Sequence, residues 1–373
     1  MSRLELNQSA TPARQRRDRG VSIIELMVGI VVALLVSLAA AMSAQVFTAS
    51  QRQGMSAGAT SIGSASALSS IKEEISQAGL GFFADSQYLC NALSLSIGAT
   101  IVSNNAAFVP LQITRAAGND TISVVYGNRI VAGANARLGL SSTGGAAQLA
   151  SLLPASQNDT VMLAPADAGV ACTVRTVTNT PTAPTATLPE ALTFANTGLY
   201  NQAALTIPTY AKDDRIALLG DLVWNTFSVN ANRQLVMTRM ISGDSAVLAS
   251  NVLAFRAEYG VSATANALDY TLANWFSPDA AGWAALTPAQ VMRVRAVRLG
   301  IVTRSVQKEK AQTPGNDATC TATRNDANLD SRPRLFGSTI DVAAMFPTDW
   351  GCYRYRVTTM VIPLRNFVMG RQS

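Results

Sequence analysis

The chain has 373 residues, 48% of them hydrophobic and 14% charged, with a formal charge of +6. It contains no histidine, which excludes Ser-His-Asp and Cys-His triads, His-x-x-x-His zinc sites and a histidine general base. Half of the excess charge sits in residues 1–20, where Arg3, Arg14, Arg16, Arg17 and Arg19 stand against Glu5 and Asp18, so the basic balance marks targeting rather than a nucleic-acid footprint.

Residues 14–20 read Arg-Gln-Arg-Arg-Asp-Arg-Gly and run into Val21-Ser22-Ile23-Ile24-Glu25. No charge follows Glu25 until Arg52, and the apolar run from Leu26 to Ala44 is 19 residues long. As a helix this run is about 28 Å long, enough to cross the hydrocarbon core of a bilayer. The arginines before it hold that end in the cytoplasm, which places everything after about residue 50 in the periplasm. Glu25, just inside the apolar span, is a costly place for a carboxylate and therefore a functional candidate.

Gly20 followed by Val21-Ser22-Ile23-Ile24-Glu25 resembles the class III signal of type IV prepilins. The resemblance implies that a prepilin peptidase cuts between Gly20 and Val21 on the cytoplasmic side and N-methylates Val21, so that Glu25 becomes the fifth residue of the mature protein. Most major pilins begin with phenylalanine, and Val21 departs from that pattern, which points to a minor subunit. In an apolar helix bundle the new α-ammonium of one subunit and Glu25 of a neighbour would neutralise each other and set an axial register. The competing reading is an ordinary secretory signal cut at Ala39-Ala40-Ala41, with a soluble protein starting near Met42. A glutamate at the head of the apolar region, and apolar residues beyond the cut, argue against it.

The helix is expected to continue to about Ala78. Met55, Ala59, Ile62, Ala65, Leu68 and Ile71 recur at steps of three or four and predict one buried stripe, while Gly54, Gly58 and Gly63 weaken the helix. Gly79 reads as its C-terminal cap, and Gln77-Ala78-Gly79 resembles the end of the helical spine in PilW-type minor pilins.

Short β-rich runs follow: Thr121–Tyr126, Arg215–Leu219, Leu222–Val229, Gln234–Met240, Val252–Val261, Val294–Arg304 and Tyr355–Ile362. In residues 253–261, Leu253, Phe255, Ala257 and Tyr259 alternate with Arg256 and Glu258, which predicts one apolar face. Thr287-Pro288-Ala289-Gln290 fits a capping box opening a short helix. Thr178–Glu190, rich in threonine and proline, reads as an exposed loop. The runs 251–259, 294–305, 353–356 and 363–366 also resemble PilW-type minor pilins, whereas residues 90–210 carry no such resemblance.

Cys90, Cys172, Cys320 and Cys352 are even in number, widely spaced, and follow an export signal, which predicts two disulfides. Three connectivities are open; Cys90–Cys172 with Cys320–Cys352 is preferred because each closes a loop within its own region.

Other constellations are weaker. Ser69-Ser70-Ile71-Lys72 matches Ser-x-x-Lys but lacks that chemistry's partner motifs and lies on the helix. Gly79-x-Gly81-x-x-Ala84 follows a helix where a dinucleotide loop requires a strand. Asp326, Asn328 and Asp330 alternate like the start of a calcium loop, but Ser331 and Gly337 stand where an EF-hand needs glycine and glutamate. A looser calcium site with Asp317 is the residual reading, since some minor pseudopilins of the wider superfamily bind calcium, and a solvated loop is the plainer one. Arg293, Arg295, Arg298 and Arg304 alternate along one strand without interleaved aromatics, which argues against a nucleic-acid surface.

The expected fold is α+β, a long N-terminal hydrophobic helix packed on a loop-rich, mainly antiparallel β-sheet domain. The expected layout is a leader over 1–20, a helix over 21–78 with its membrane span at about 21–47, and a periplasmic β-rich domain over 79–373. The resemblance implies a minor pilin that primes pilus assembly at the inner membrane and sits at or near the tip. Its partners would be other minor pilins, the major pilin, the prepilin peptidase and the inner-membrane assembly platform, with no cofactor beyond the calcium question. A minor pseudopilin of type II secretion shares the signal and fold. A membrane-anchored periplasmic enzyme finds no convincing nucleophile constellation.

Overall fold

No proline interrupts the chain between Ser22 and Val109, and Ala, Ser, Leu and Gln dominate its first part; this stretch forms one helix, Ile23–Ser76. The computed structural model describes residues 22–82, 90–116, 118–129, 134–166, 170–181, 190–266, 268–309, 311, 313, 315–326 and 329–369. Two compact units are present, Met1–Met55 and Ser56–Ser373, and the helix contributes to both. In the first unit every described side chain from Ile23 to Gln45 is exposed.

In the second unit the helix ends at Ser76, and Gly79 and Gly81 take positive φ angles of 78° and 82° to turn the chain away. The turn is tied to a sheet by hydrogen bonds from Gly79 N to Val125 O (2.9 Å) and from Gly127 N to Leu80 O (2.8 Å). Three large sheets and two two-stranded ones follow among the described residues. A central antiparallel sheet has the order Ser245–Ala249, Leu235–Arg239, Leu222–Val229, Asn119–Gly127, Leu111–Ala116. A C-terminal antiparallel sheet has the order Asn274–Phe276, Val252–Val261, Val294–Arg304, Tyr355–Pro363. A six-stranded sheet is built by residues 92–220; it is antiparallel except where Ala92–Ile97 runs parallel to Cys172–Thr176.

The main core lies where Ala67, Leu68, Ile71, Ile75 and Ala78 of the helix meet the inner faces of the central and C-terminal sheets. Tyr259 links those two sheets, its hydroxyl accepting a 2.6 Å hydrogen bond from Ile113 N. A second core, with Leu93, Met162, Val174 and Leu219, joins the six-stranded sheet to Val125 and Leu222 of the central one. The six-stranded sheet buries its other face in a third cluster around Leu163, Phe194 and Tyr210. The capping box at Thr287 and Gln290 opens the short helix Pro288–Val291.

Three expectations need correction. Leu68 and Ile71 are buried, but Ile62 is 73% exposed and Met55 and Ala65 are exposed too, while Ala59 lies outside the side chains described. Each step of three residues falls about 60° short of a full turn, so a stripe built on such steps winds round the helix. The buried stripe is Ser64, Ala67, Leu68, Ile71, Ile75 and Ala78. Leu253 does not share a face with Phe255, Ala257 and Tyr259. A register shift between Val252 and Ala254 turns it into a separate cluster with Val302 and Leu335. Glu190, placed in an exposed loop, is 2% exposed; it begins the strand Glu190–Thr193 and accepts a hydrogen bond from Leu153 N at 2.8 Å. Residues 182–189 of that loop lie outside the described residues.

Candidate assembly site

Ile23–Gln45 is 23 residues, long and apolar enough to cross a membrane, and none of it is buried. Its length is about 35 Å, a little more than a hydrocarbon core. Apolar side chains such as Ile24, Leu26, Val31 and Leu35 emerge on every side and are more than half exposed. A helix apolar all round is stable only in lipid or among other apolar helices. Glu25 is exposed in its first turn and has no ion-pair partner among the described residues. Gly20 and Val21 lie outside the described residues.

At the other end of the helix a polar contact fixes it to the domain. Glu74 accepts hydrogen bonds from the Tyr126 hydroxyl (2.7 Å) and from Asn225 Nδ2 (2.9 Å). Burial, joined by the negative charge of Glu74, pushes the Tyr126 phenol well above its ordinary range, so it stays a donor. A second polar node joins the central and C-terminal sheets. Asp120 is fully buried and accepts from Arg115 Nε (2.6 Å), Arg115 Nη2 (3.0 Å) and Ala257 N (2.7 Å). Sequence spacing gave no signal for the contacts that join separate segments, whose partners lie 52, 151 and 137 residues apart; Arg115 and Asp120 are local, facing each other across a hairpin.

The four cysteines form disulfides Cys90–Cys172 and Cys320–Cys352. The first ties the parallel strand pair, where Leu93 stands opposite Cys172. Asp317, Cys320 and Cys352 lie close enough to hold a metal, but both sulfurs are in the disulfide and Asp317 is paired with Lys308. The calcium-like residues are similarly engaged. Asp326 pairs with Arg324 at 2.7 Å, and Asp330 with Arg332 at 2.9 Å and Arg334 at 3.4 Å. The Arg332 hydrogen bond holds the Asp330 carboxyl well below the usual range. Asn328 and Ala84 lie outside the described residues.

Ser69, Ser70 and Lys72 are exposed on the helix flank. The four arginines are dispersed: Arg293 bonds Ser262 O, Arg295 is buried on Asp269 O and Asn266 O, Arg298 lies over Trp275 and Phe336 and pairs with Glu258, and Arg304 lies over Phe346 and Tyr353.

The long helix thus combines an exposed apolar first part, with one carboxylate in its first turn, and a later face on which the β domain is seated. Residues 15–41 match the model of the prokaryotic N-terminal methylation motif, and residues 226–366 match that of type IV pilus-assembly protein W. The chain is a PilW-like type IV minor pilin. The second match takes in all four strands of the pilin's C-terminal sheet. Among solved structures, the type IV-like pilin TTHA1219 from Thermus thermophilus aligns with a TM-score of 0.33 and 10% identity, over 83% of this chain and 96% of that one. No curated protein matches the chain. As a pilin it is a membrane-anchored structural subunit that interacts with other pilins and with the prepilin peptidase.

Proposed function

We propose that this minor pilin helps to prime pilus assembly and stands at or near the pilus tip, with its β domain in the periplasm before incorporation. The observation that carries the reading is Glu25, a carboxylate without an ion-pair partner among the described residues, in the first turn of a helix that is apolar and exposed all round. Cleavage between Gly20 and Val21 creates an α-ammonium one turn from Glu25, which becomes N-methylated. In the packed helices the charge of one subunit neutralises that of the next, an interaction strong in low dielectric and costly to break on one side only. The partners in this reading are the other minor pilins, the major pilin and the inner-membrane assembly platform, and no cofactor takes part.

The test is the mass of the amino-terminal peptide from membranes, with and without prepilin peptidase. A methylated peptide starting at Val21, lost without the enzyme, is expected; a terminus near Met42 or an uncut leader would overturn the reading. Glu25→Ala is expected to insert and be cleaved normally but to be depleted from sheared pili, and normal incorporation would remove the role given to Glu25.

A further inference from the structure

Tyr355–Pro363 is the outer strand of the C-terminal sheet, with no strand beyond it among the described residues. Exposed strand edges in folded proteins are usually blunted by shortness, by bulges or by charge, because a row of free N–H and C=O groups templates further pairing. The other edges of the large sheets are treated in this way or covered. Asn135–Arg137 and Asn274–Phe276 have three residues each. Thr100–Ala107 pairs through register shifts and contains Asn105 at φ 53°. Ser245–Ala249 is short and its pairing is shifted, and Leu111–Ala116 lies against the C-terminal sheet, where the Tyr259 hydroxyl takes up its Ile113 N–H.

Tyr355–Pro363 is the exception. It has nine residues in unbroken register with Val294–Arg304 and no charge from Val357 to Ile362. Most of those six are β-branched, and Val357 and Val361 are 37% and 53% exposed. Beside its end lies a groove of about 510 Å³, lined mainly by apolar atoms of Tyr270, Leu272, Ala296, Val361, Pro363 and Leu364. Arg356 and Arg365 flank the uncharged stretch, exposed and without an ion-pair partner among the described residues.

We propose that this edge receives a β-strand from a different subunit of the pilus, one with alternating apolar side chains and carboxylates near its ends. The backbone ladder supplies affinity, the groove takes one apolar side chain, and Arg356 and Arg365 read the acidic ends. A second copy of this chain fits poorly. Residues 355–365 contain no carboxylate, so two such edges set antiparallel would bring Arg356 of one copy and Arg365 of the other to the same end with nothing on the edge to neutralise them.

The inference rests on the minor-pilin reading, and the test separates the two. The full-length chain carrying both Val357→Lys and Val361→Lys is produced in piliated cells, and its amount in sheared pili is compared with that in membranes. The charged edge is expected to lower the pilus fraction roughly tenfold, while Val247→Lys, on the short edge Ser245–Ala249, leaves it unchanged. Incorporation of the double variant at the wild-type level overturns the edge while leaving the pilin reading intact; absence of the wild-type chain from pili sinks both. Should the lysines prevent folding, seen as loss of the disulfides, Arg356→Glu with Arg365→Glu replaces them under the same expectation. A photo-crosslinker at Thr359 is expected to join an extended segment of another pilus subunit, mapped by its peptide. A crosslink solely to a second copy of this chain overturns the assignment.

Discussion

Tyr126 donates its phenolic hydrogen to Glu74 across 2.7 Å, and this bond joins the last turn of the long helix to the central sheet. The carbonyl end of a helix disfavours negative charge. Glu74 is acceptable there because Tyr126 and Asn225, from adjacent strands, both donate to one of its oxygens. A loss at this contact loosens the helix end that the domain is seated on.

Tyr126→Phe is expected to lower stability by about 1.5–3 kcal/mol, the range for a hydrogen bond to a charged group. Denaturant unfolding of the full chain in detergent measures it. The pH profile gives a second readout. Burial pushes the phenols of Tyr126, Tyr200, Tyr210, Tyr259 and Tyr355 upward, Tyr200 and Tyr355 to about 12. Unfolded tyrosine ionises near about 10. The fold therefore holds the neutral phenol, and its contribution is complete below about pH 10 and is lost as pH rises through the folded values. Stability should fall steeply above about pH 10, and less steeply in Tyr126→Phe. A flat profile across that range would contradict the burial.

Asp120→Ala is expected to be more severe. The carboxylate is wholly buried, and its removal takes a partner from a partly buried Arg256 and from the Ala257 amide and leaves Arg115 only its contacts with Asp279 and Ser277. Breaking one side of a buried ion pair costs about 3–5 kcal/mol. The double variant Asp120→Ala with Arg115→Met should cost less than the sum of the two single variants, because both singles lose the same Arg115–Asp120 pair. A double variant as unstable as the sum of its singles would argue against coupling.

The elements legible in the sequence were those whose burial follows a local period. Leu222–Val229, Val252–Val261 and Val294–Arg304 are read directly from β-branched and alternating residues, and their bounds agree with the strands formed. The helix and its apolar span were equally plain. Strands such as Thr100–Ala107 and Ala146–Leu149 were not legible, because small and polar residues form them and their pairing comes from distant segments. The bonds of Glu74 to Tyr126 and Asn225, and of Asp120 to Ala257, join residues far apart in the chain, which periodicity does not register. The bulge at Leu253 moved a residue to the other face without a local mark in composition.

The two disulfides should differ in weight. Cys90–Cys172 closes a separation of 82 residues and Cys320–Cys352 one of 32. Constraint of the unfolded chain gives about 4.5 and about 3.7 kcal/mol respectively. Cys90→Ser with Cys172→Ser should therefore lower the unfolding midpoint further than Cys320→Ser with Cys352→Ser. The first bond also secures the only parallel strand pair among the described sheets, which no hairpin holds in register. The reverse order would mean that the C-terminal loops depend more on their crosslink than the six-stranded sheet does.

At Gly127 the central sheet lies directly against the backbone of the six-stranded sheet. A Cβ placed there would lie 2.7 Å from Leu219 O and 2.9 Å from Leu219 Cα, both backbone atoms of the neighbouring strand. Backbone cannot rotate aside as a side chain can, so Gly127→Ala must push the sheets apart and open the core that holds Val125, Leu219 and Leu222. The expected cost is about 1–3 kcal/mol, typical of overpacking. Gly145→Ala, where a Cβ meets nothing within 4 Å, is the matched control and should leave stability nearly unchanged. Denaturant midpoints of the two variants decide the matter: equal midpoints would mean that the sheets are not in contact at Gly127, whereas a lowered midpoint for Gly127→Ala alone places the limiting contact at the Leu219 backbone.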